Sequence, residues 1–542
     1  MVRPPRLGAG SVAAAAASVA LLTVAARVAG FGRIFAFSQT VGDNCLGTAY
    51  TTANQVPNVL FEVVAGGALA GVLVPLLSSR LASDDPAERA AASRTASAAL
   101  TVSVLALVVV GAVTALVARP VMSLLLADGS DAECGGSLLR LATVMLWVFL
   151  PQVPLYAVAV VFAGVLQAQQ RFTAPAAAPL VSSLVVGATY LLFGALVPAS
   201  VVEGDLADVP RTGIAVLAGG TTLGVLALAL THLPALRGPV RWRPALRPAP
   251  GDGARLRSLA LSGLAVLVAQ QVVTVAVTAV SNDASAGAVN RWSYAWALFL
   301  LPYAVLAVPV ATAVFPRLAR AADSGRAELG GVLAPAVRAV LLVSSLGAAV
   351  LVAVAVPVAV VFVHGRVGSG RSGDLGLALV LFAPGLLGYG LVALLTRALY
   401  TLGAGRSAAV AVVSGWAVVL VGVLLLPLAL PADHVVSALA LAHTAGLTVA
   451  GVLLLREVHR AVPGALGGVG RVVVAAVLAG AVGGAVGAVP GLVWRTTHVV
   501  AAVGQGLALA ALAGLVWFVV ARLAVPTDLR TLSGTARRVV RR

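Results

Sequence analysis

Arg27 and Arg33 stand inside the first long apolar stretch of the chain, in the run Ala26-Arg27-Val28-Ala29-Gly30-Phe31-Gly32-Arg33-Ile34-Phe35. A guanidinium near the middle of a membrane-spanning helix costs roughly 2.5 to 3.5 kcal/mol on insertion scales, so two in one span point to a water-filled cavity with an anionic guest. On an ideal helix they differ by about 9 Å in depth and roughly 120° around the axis. A straight helix therefore cannot bring both onto one small carboxylate. An extended headgroup, or a helix loosened at Gly30 and Gly32, lets both face one cavity. A sugar-linked diphosphate meets that description, because guanidinium groups grip phosphate oxygens through paired hydrogen bonds. The competing reading has one arginine snorkelling outward and the other bonding a neighbouring carbonyl.

The next apolar stretch carries Thr51, Asn54, Asn58 and Glu62, spaced to fall in a narrow stripe on one helix face, with Gln55 beside it. Asn and Thr often serve helix-to-helix hydrogen bonding in membranes. Glu62 argues for more, since it is the one acidic residue placed deep in any span. An isolated carboxylate there is protonated or paired, so Glu62 is a coupling-ion site or, the reading preferred here, an ion-pair partner of Arg27 or Arg33. Gln270 and Gln271 form the polar counterpart in the second half of the chain and are candidates to line a cavity.

No catalytic or metal pattern accompanies these residues. There is no Walker loop, CxxC or HExxH, and the six histidines are scattered without ligand spacing. We expect no cofactor and no enzyme activity. The acidic outer loop with Glu203, Asp205 and Asp208 reads as a solubility and topology feature.

The elements that must position these side chains are membrane helices. Of 542 residues, 60% are hydrophobic and only 10% charged, with a mean hydropathy of +1.04. Breaks at polar or Pro/Gly-rich punctuation give fourteen spans: 11-39, 46-80, 91-118, 135-168, 174-198, 212-236, 258-281, 287-319, 329-363, 375-402, 407-430, 434-455, 472-489 and 496-521. The fold class is an all-α integral membrane protein. The first stretch runs well past a normal signal-peptide core, so an uncleaved first helix is the simpler reading.

A net charge of +17 would suit a nucleic-acid partner, but its distribution argues against one. All 36 basic residues are arginine. With the N-terminus inside, 25 fall in inner loops, loop ends and the tail, against five in outer loops. That bias predicts a multi-pass cell-membrane protein with both termini cytoplasmic. The remaining six, Arg27, Arg33, Arg140, Arg291, Arg338 and Arg397, lie in the spans. The basic segment 237-257 would join two halves on the cytoplasmic side, where it could touch anionic membrane lipids; topological anchoring explains it equally well.

A weak internal repeat supports two halves. Tyr50, Pro57, Pro75 and Arg80 recur as Tyr294, Pro302, Pro316 and Arg317/Arg320, half the chain later. An even number of spans separates the copies, so the repeats are parallel and related by an axis along the membrane normal. The expected organisation is a six-helix half over 1-236, the linker 237-257, a second six-helix half over 258-460, an additional helix pair over 472-523 and a basic tail over 524-542. Asp85, Pro86 and Glu88 form a helix start with a capping box and predict a short surface helix after the second span. Cys45 and Cys134 both fall on the outer side, where a disulfide is permitted. Two unpaired small apolar residues are the preferred reading.

The residues then resemble a known family. The R-x-x-G-F-x-R core from Arg27 to Arg33, the run Ala53-Asn54-Gln55-Val56-Pro57-Asn58, Gly66-Gly67-Ala68-Leu69 and Val74-Pro75 are similar to the signature of the MurJ (MviN) lipid II flippases. Pro57-Asn58-Val59-Leu60-Phe61-Glu62 resembles actinobacterial members most. The family belongs to the multidrug/oligosaccharidyl-lipid/polysaccharide exporter superfamily. The resemblance implies a fourteen-helix, V-shaped transporter that moves lipid II from the inner to the outer leaflet by alternating access, with the last helix pair helping to form a groove for the polyprenyl tail. It also implies that Arg27 and Arg33 contact the diphosphate and sugars, and it makes cell-wall synthesis or division proteins candidate partners. The chain departs from the family pattern at Thr48, Phe61, Glu62 and Ala297, where relatives carry acidic or arginine residues, and leaves Arg291 as the nearest substitute for a cavity arginine. Alternatives are an exporter of another polyprenyl-linked glycan, a drug antiporter, which should prefer an acidic cavity, and a non-transporting scaffold of wall synthesis. A membrane glycosyltransferase would need a catalytic acid that the sequence does not offer.

Overall fold

The computed structural model describes residues 9-64, 68-236, 240-324, 326-494 and 496-530. Arg3, Arg6, Gly66-Gly67, Arg237, Arg495 and the arginines of the extreme C-terminus lie outside the described residues. Among those described there is no strand. Twelve helices are long and apolar enough to cross a membrane, and a bent pair makes up to thirteen. The chain divides into two compact units, Met1–Gln271 and Val272–Arg542.

The first unit begins with α1 (Ala9–Thr40), α2 (Cys45–Val64) and α3 (Ala68–Leu81), followed by α4 (Pro86–Leu116) and α5 (Ala118–Glu133). It continues through α6 (Leu138–Phe149), α7 (Gln152–Ala168), α8 (Thr173–Leu196) and α9 (Gly220–Leu230) into α10 (Asp252–Ala284), inside which the unit boundary falls. The stretch expected as one long second helix is recorded as α2 and α3 on either side of residues 65-67. Helix α1 packs along α8, where side-chain space has been removed. A Cβ at Gly194 would meet Thr40 Cγ2 at 2.6 Å, and one at Gly187 would meet the Arg33 backbone at 3.9 Å. Close approach through small residues is how membrane helices gain packing contacts without a hydrophobic driving force.

The predicted cap at Asp85 forms, its side chain accepting from the Ala87 N–H at 2.8 Å. The helix it starts is not short. Pro86–Leu116 is continuous over 31 residues, because the Ala-rich start has high helix propensity and runs into the apolar stretch without a breaker. Glu88 pairs with Arg80 at 3.1 Å in place of the expected capping box. Cys45, at the start of α2, is disulfide-bonded to Cys134, just after α5, which corrects the reading of two unpaired cysteines. Replacing both by serine, or adding reductant, is expected to lower the thermal midpoint, because the bond closes a loop of sequence separation 89 and such links stabilise by about 2–4 kcal/mol. Thermal unfolding with and without reductant checks this, and an unchanged midpoint would contradict it.

Residues 240-249 have no regular structure of their own, yet they are fastened to α4. The backbone N–H groups of Arg241, Arg243 and Ala245 donate to the hydroxyls of Ser93, Ser97 and Thr101 at 3.2, 3.2 and 3.3 Å. Residues of an extended strap advance about 3.3 Å each, so every second one meets each successive turn of the helix at its rise of about 5.4 Å per turn. Val240 enters the core with Leu73, Leu77, Ala92 and Val161, and Trp242 meets Phe162 edge-on at 5.3 Å. Residues 240-249 of the segment expected to join the two halves are thus fastened to the first unit.

The second unit contains α11 (Ala288–Pro302), α12 (Val308–Ser324), α13 (Arg326–Ala353), α14 (Ala355–Val363), α15 (Ser372–Phe382) and α16 (Gly385–Thr401). Then follow α17 (Gly405–Ala429), α18 (Val435–Ala461), α19 (Val469–Val493) and α20 (Val499–Ala524). Helices α15 and α16 form the bent pair, at 47°, with Pro384 in the break, where a proline cannot continue the backbone ladder. Helices α19 and α20 pack on α13: the Trp517 indole donates to Ser345 Oγ at 2.9 Å, and Arg338 pairs with Asp528 beyond α20 at 3.2 Å.

Candidate functional site

Helix α1 carries both arginines without interruption at Gly30 or Gly32, so the loosened helix is not observed. Arg27 is exposed and Arg33 is half-buried, as their different azimuths on a regular helix require. The backbone of Arg33 lies on Gly187 of α8. Its charge is within electrostatic range of three tyrosines, Tyr50 of α2, Tyr156 of α7 and Tyr190 of α8. Two of them form a buried hydroxyl cluster: Tyr50 Oη lies 2.7 Å from Tyr190 Oη and 2.7 Å from Thr221 Oγ1. The rings of Phe37 and Phe149 enclose Tyr50 at 5.3 and 5.4 Å.

The α2 stripe joins the same neighbourhood. Asn58 accepts a hydrogen bond from Tyr156 Oη at 3.1 Å and donates to the Asn54 carbonyl at 2.9 Å. Phe61 covers the Tyr156 ring at 4.7 Å. Asn54 Oδ1 is buried with no hydrogen-bond partner, an arrangement that costs free energy unless a ligand or water completes it. Glu62 is half-buried and within electrostatic range of Tyr156. Among the described residues it forms no ion pair with Arg27 or Arg33, which corrects the preferred pairing; the stripe and Arg33 share Tyr156 as a neighbour instead. Gln270 on α10 is half-buried and Gln271 buried.

Arg291 of α11 has a different setting, in the other unit. It is 2% exposed, donates to Ser285 Oγ at 3.1 Å, and is within electrostatic range of Asp374. In this structure the guanidinium expected as the nearest substitute for a cavity arginine is enclosed within its own unit. Asp374 opens α15 and accepts from Val436 N–H, Ser437 N–H and Ser437 Oγ at 3.3, 3.1 and 2.7 Å, satisfying orphan donors at the start of α18. The same unit holds an aromatic cluster in which His443 lies 4.6 Å from Trp292 and 5.6 Å from Trp296, with its Nδ1 2.8 Å from the Leu439 carbonyl. Phe299 stacks on Phe382 at 4.1 Å.

Tyr156, Tyr190 and Asp374 were missed by sequence reasoning. Tyr190 meets Tyr50 across 140 positions, and nothing local announces such a contact. Asp374 lay one residue outside an expected span, where a carboxylate reads as an ordinary loop residue.

Comparison with known proteins adds a second line. A family model described as lipid II flippase MurJ matches residues 37–519, a stretch that begins after Arg27 and Arg33. A curated protein from Burkholderia cenocepacia named lipid II flippase MurJ is 26% identical over 395 residues, covering 71% of this chain and 72% of the relative. A solved structure described as lipid II flippase MurJ in an inward closed conformation superposes with a TM-score of 0.72 at 17% identity, covering 93% of this chain and 98% of the other. An inward-facing multidrug resistance MATE family transporter of the MOP superfamily gives a TM-score of 0.60 at 15% identity, over 83% and 95% of the two chains.

Proposed function

The chain belongs to the lipid II flippase MurJ family, and from that premise we propose that it carries lipid II from the inner to the outer leaflet of the cell membrane by alternating access. It is a multi-pass membrane protein of a transporter family. The observation that carries the assignment is the match over residues 37–519. The extent of the MurJ superposition favours it over the drug-antiporter alternative, which leaves more of this chain uncovered.

In this reading the headgroup is held in the first unit by Arg33 with Tyr50, Tyr156 and Tyr190 around it. Its phosphates accept from the guanidinium, which matches two phosphate oxygens at once. Asn54 and Asn58 address the sugars, and the buried, unpartnered Asn54 Oδ1 supports such a contact. Arg27, exposed one azimuth away, meets the outer part of the headgroup, while Glu62 and Gln270 complete the polar lining. We assign Arg291 to holding the helices of its own unit. Both termini are placed in the cytoplasm, as the arginine distribution supports.

The test is complementation of a strain depleted of its own flippase. The wild-type chain is expected to restore growth and rod or coccal shape and to return accumulated lipid II to its normal level. Failure in a closely related host, with the protein present in the membrane, would favour export of another polyprenyl-linked glycan.

A further inference from the structure

Between α4 and the 240-249 strap lies a cavity of about 690 Å³. Four arginines line it, Arg94 from the helix and Arg241, Arg243 and Arg247 from the strap. All four are exposed. Among the described residues no carboxylate lines the cavity, and none of the four is in an ion pair. Like charges brought this close repel, and a protein that gathers them without counter-charges leaves a strong local field for an anion.

The gathering is built, not incidental. The strap hydrogen bonds to Ser93 and Ser97 hold the backbone of Arg241 and Arg243, and Ser93 and Ser97 themselves line the cavity. Arg94 Nε donates to the Arg247 carbonyl at 3.3 Å. The far end is pinned as well: Asp252 accepts from Thr95 Oγ1 at 2.7 Å and pairs with Arg80, while Ala249 N–H donates to Thr95 Oγ1 at 3.1 Å. These bonds fix where the strap arginine side chains start and, among the described residues, leave all four guanidinium groups without a counter-charge, Arg94 having only a neutral carbonyl partner.

The apolar surroundings narrow the chemistry. Leu246, in the cavity wall, is 69% exposed. Beyond Ser97 on the same helix, Val102 and Leu105 are also exposed, so the cationic cavity continues along α4 into an apolar surface. A free phosphate ion would use the first of these features and not the second. A phospholipid uses both.

We propose that this cavity binds the phosphate of an anionic phospholipid headgroup, its acyl chains lying along the exposed apolar residues of α4. The site is separate from the Arg33 region and would hold a resident membrane lipid, not the transported one. It couples lipid composition to the position of the strap, the segment through which the chain passes into α10.

The experiment is native mass spectrometry of the full chain released from detergent with phosphatidylglycerol or phosphatidylcholine. It reads binding alone and is independent of whether the transported lipid has been assigned correctly. Wild type is expected to retain phosphatidylglycerol over phosphatidylcholine. Each basic residue near an anionic lipid surface contributes roughly fivefold, so changing Arg94, Arg241, Arg243 and Arg247 together to Gln should lower retention by about 600-fold. A control with Arg317, Arg320, Arg406 and Arg456 changed to Gln removes the same charge elsewhere and should retain the lipid. Leu246→Glu, which keeps every arginine, should also lose it and serves if the fourfold variant does not fold. Equal loss in variant and control, equal retention of the two lipids, or displacement of phosphatidylglycerol by excess inorganic phosphate would each overturn the proposal, the last by assigning the cavity to a soluble anion.

Discussion

Arg33→Ala is expected to abolish rescue of a flippase-depleted strain, with lipid II accumulating as in the empty-vector control and the protein still present in the membrane. Arg33 is the half-buried one of the two first-helix arginines, its backbone seated on Gly187 and its charge within range of Tyr50, Tyr156 and Tyr190. Hydrogen bonds from a charged donor to phosphate contribute about 1.5–3 kcal/mol each, so loss of a two-pronged contact lowers transport by two orders of magnitude or more. Arg33→Lys keeps the charge and loses the fork, and is expected to rescue partially. Arg27→Ala should cost less, because Arg27 is exposed and lies on a different azimuth of α1 from the tyrosines around Arg33. Full rescue by Arg33→Ala would remove the first-unit site.

Asp374→Ala is expected to destabilise the protein more than any other single change to a polar residue of the second unit. The carboxylate accepts three hydrogen bonds from Val436 and Ser437 at the start of α18 and is within range of the buried Arg291. Its removal leaves the buried Val436 and Ser437 donors without their acceptor, and each buried donor left unsatisfied costs about 1–3 kcal/mol. The thermal midpoint of the detergent-purified chain should fall by several degrees, with Asp374→Asn intermediate because an amide oxygen still accepts. An unchanged midpoint for Asp374→Ala would mean that the α18 start is held by other contacts. The result also separates two roles: if Arg291 serves the helices, Arg291→Ala should lower stability by a comparable amount.

Much of the architecture was legible because membrane insertion constrains sequence so tightly. Twenty-residue apolar stretches must be helices, since no other open structure satisfies the backbone in hydrocarbon. Spans such as 212-236, 407-430 and 496-521 therefore reappear close to their expected bounds. Boundaries set by tertiary packing did not. The Asp85 cap was readable from local chemistry, but the length of the helix behind it was not. The kink at Pro384 was encoded by proline, yet its 47° angle depends on what surrounds it.

The candidate site divides in the same way. Arg27, Arg33 and the Asn54–Asn58–Glu62 stripe were visible because a polar residue in an apolar span is rare and helical spacing shows which of them share a face. Their partners were not visible. Tyr156 and Tyr190 are unremarkable aromatics in sequence, and only folding brings their hydroxyls to Asn58 and Tyr50. Arg291 shows the converse, since an arginine in a span stands out in the sequence while its burial beside Ser285 appears only in the fold.

By itself the sequence determined that the chain is a helical membrane protein with costly charges in its first span, and its motifs pointed to one transporter family. These are local properties, written in composition, periodicity and short runs of residues. Only the tertiary structure decided that Cys45 meets Cys134, that Glu62 does not pair with the first-helix arginines, and that residues 240-249 are strapped along α4 with four arginines around a cavity. Each of those outcomes is a contact between segments far apart in the chain, and such contacts are set by how whole helices pack, which no single segment encodes.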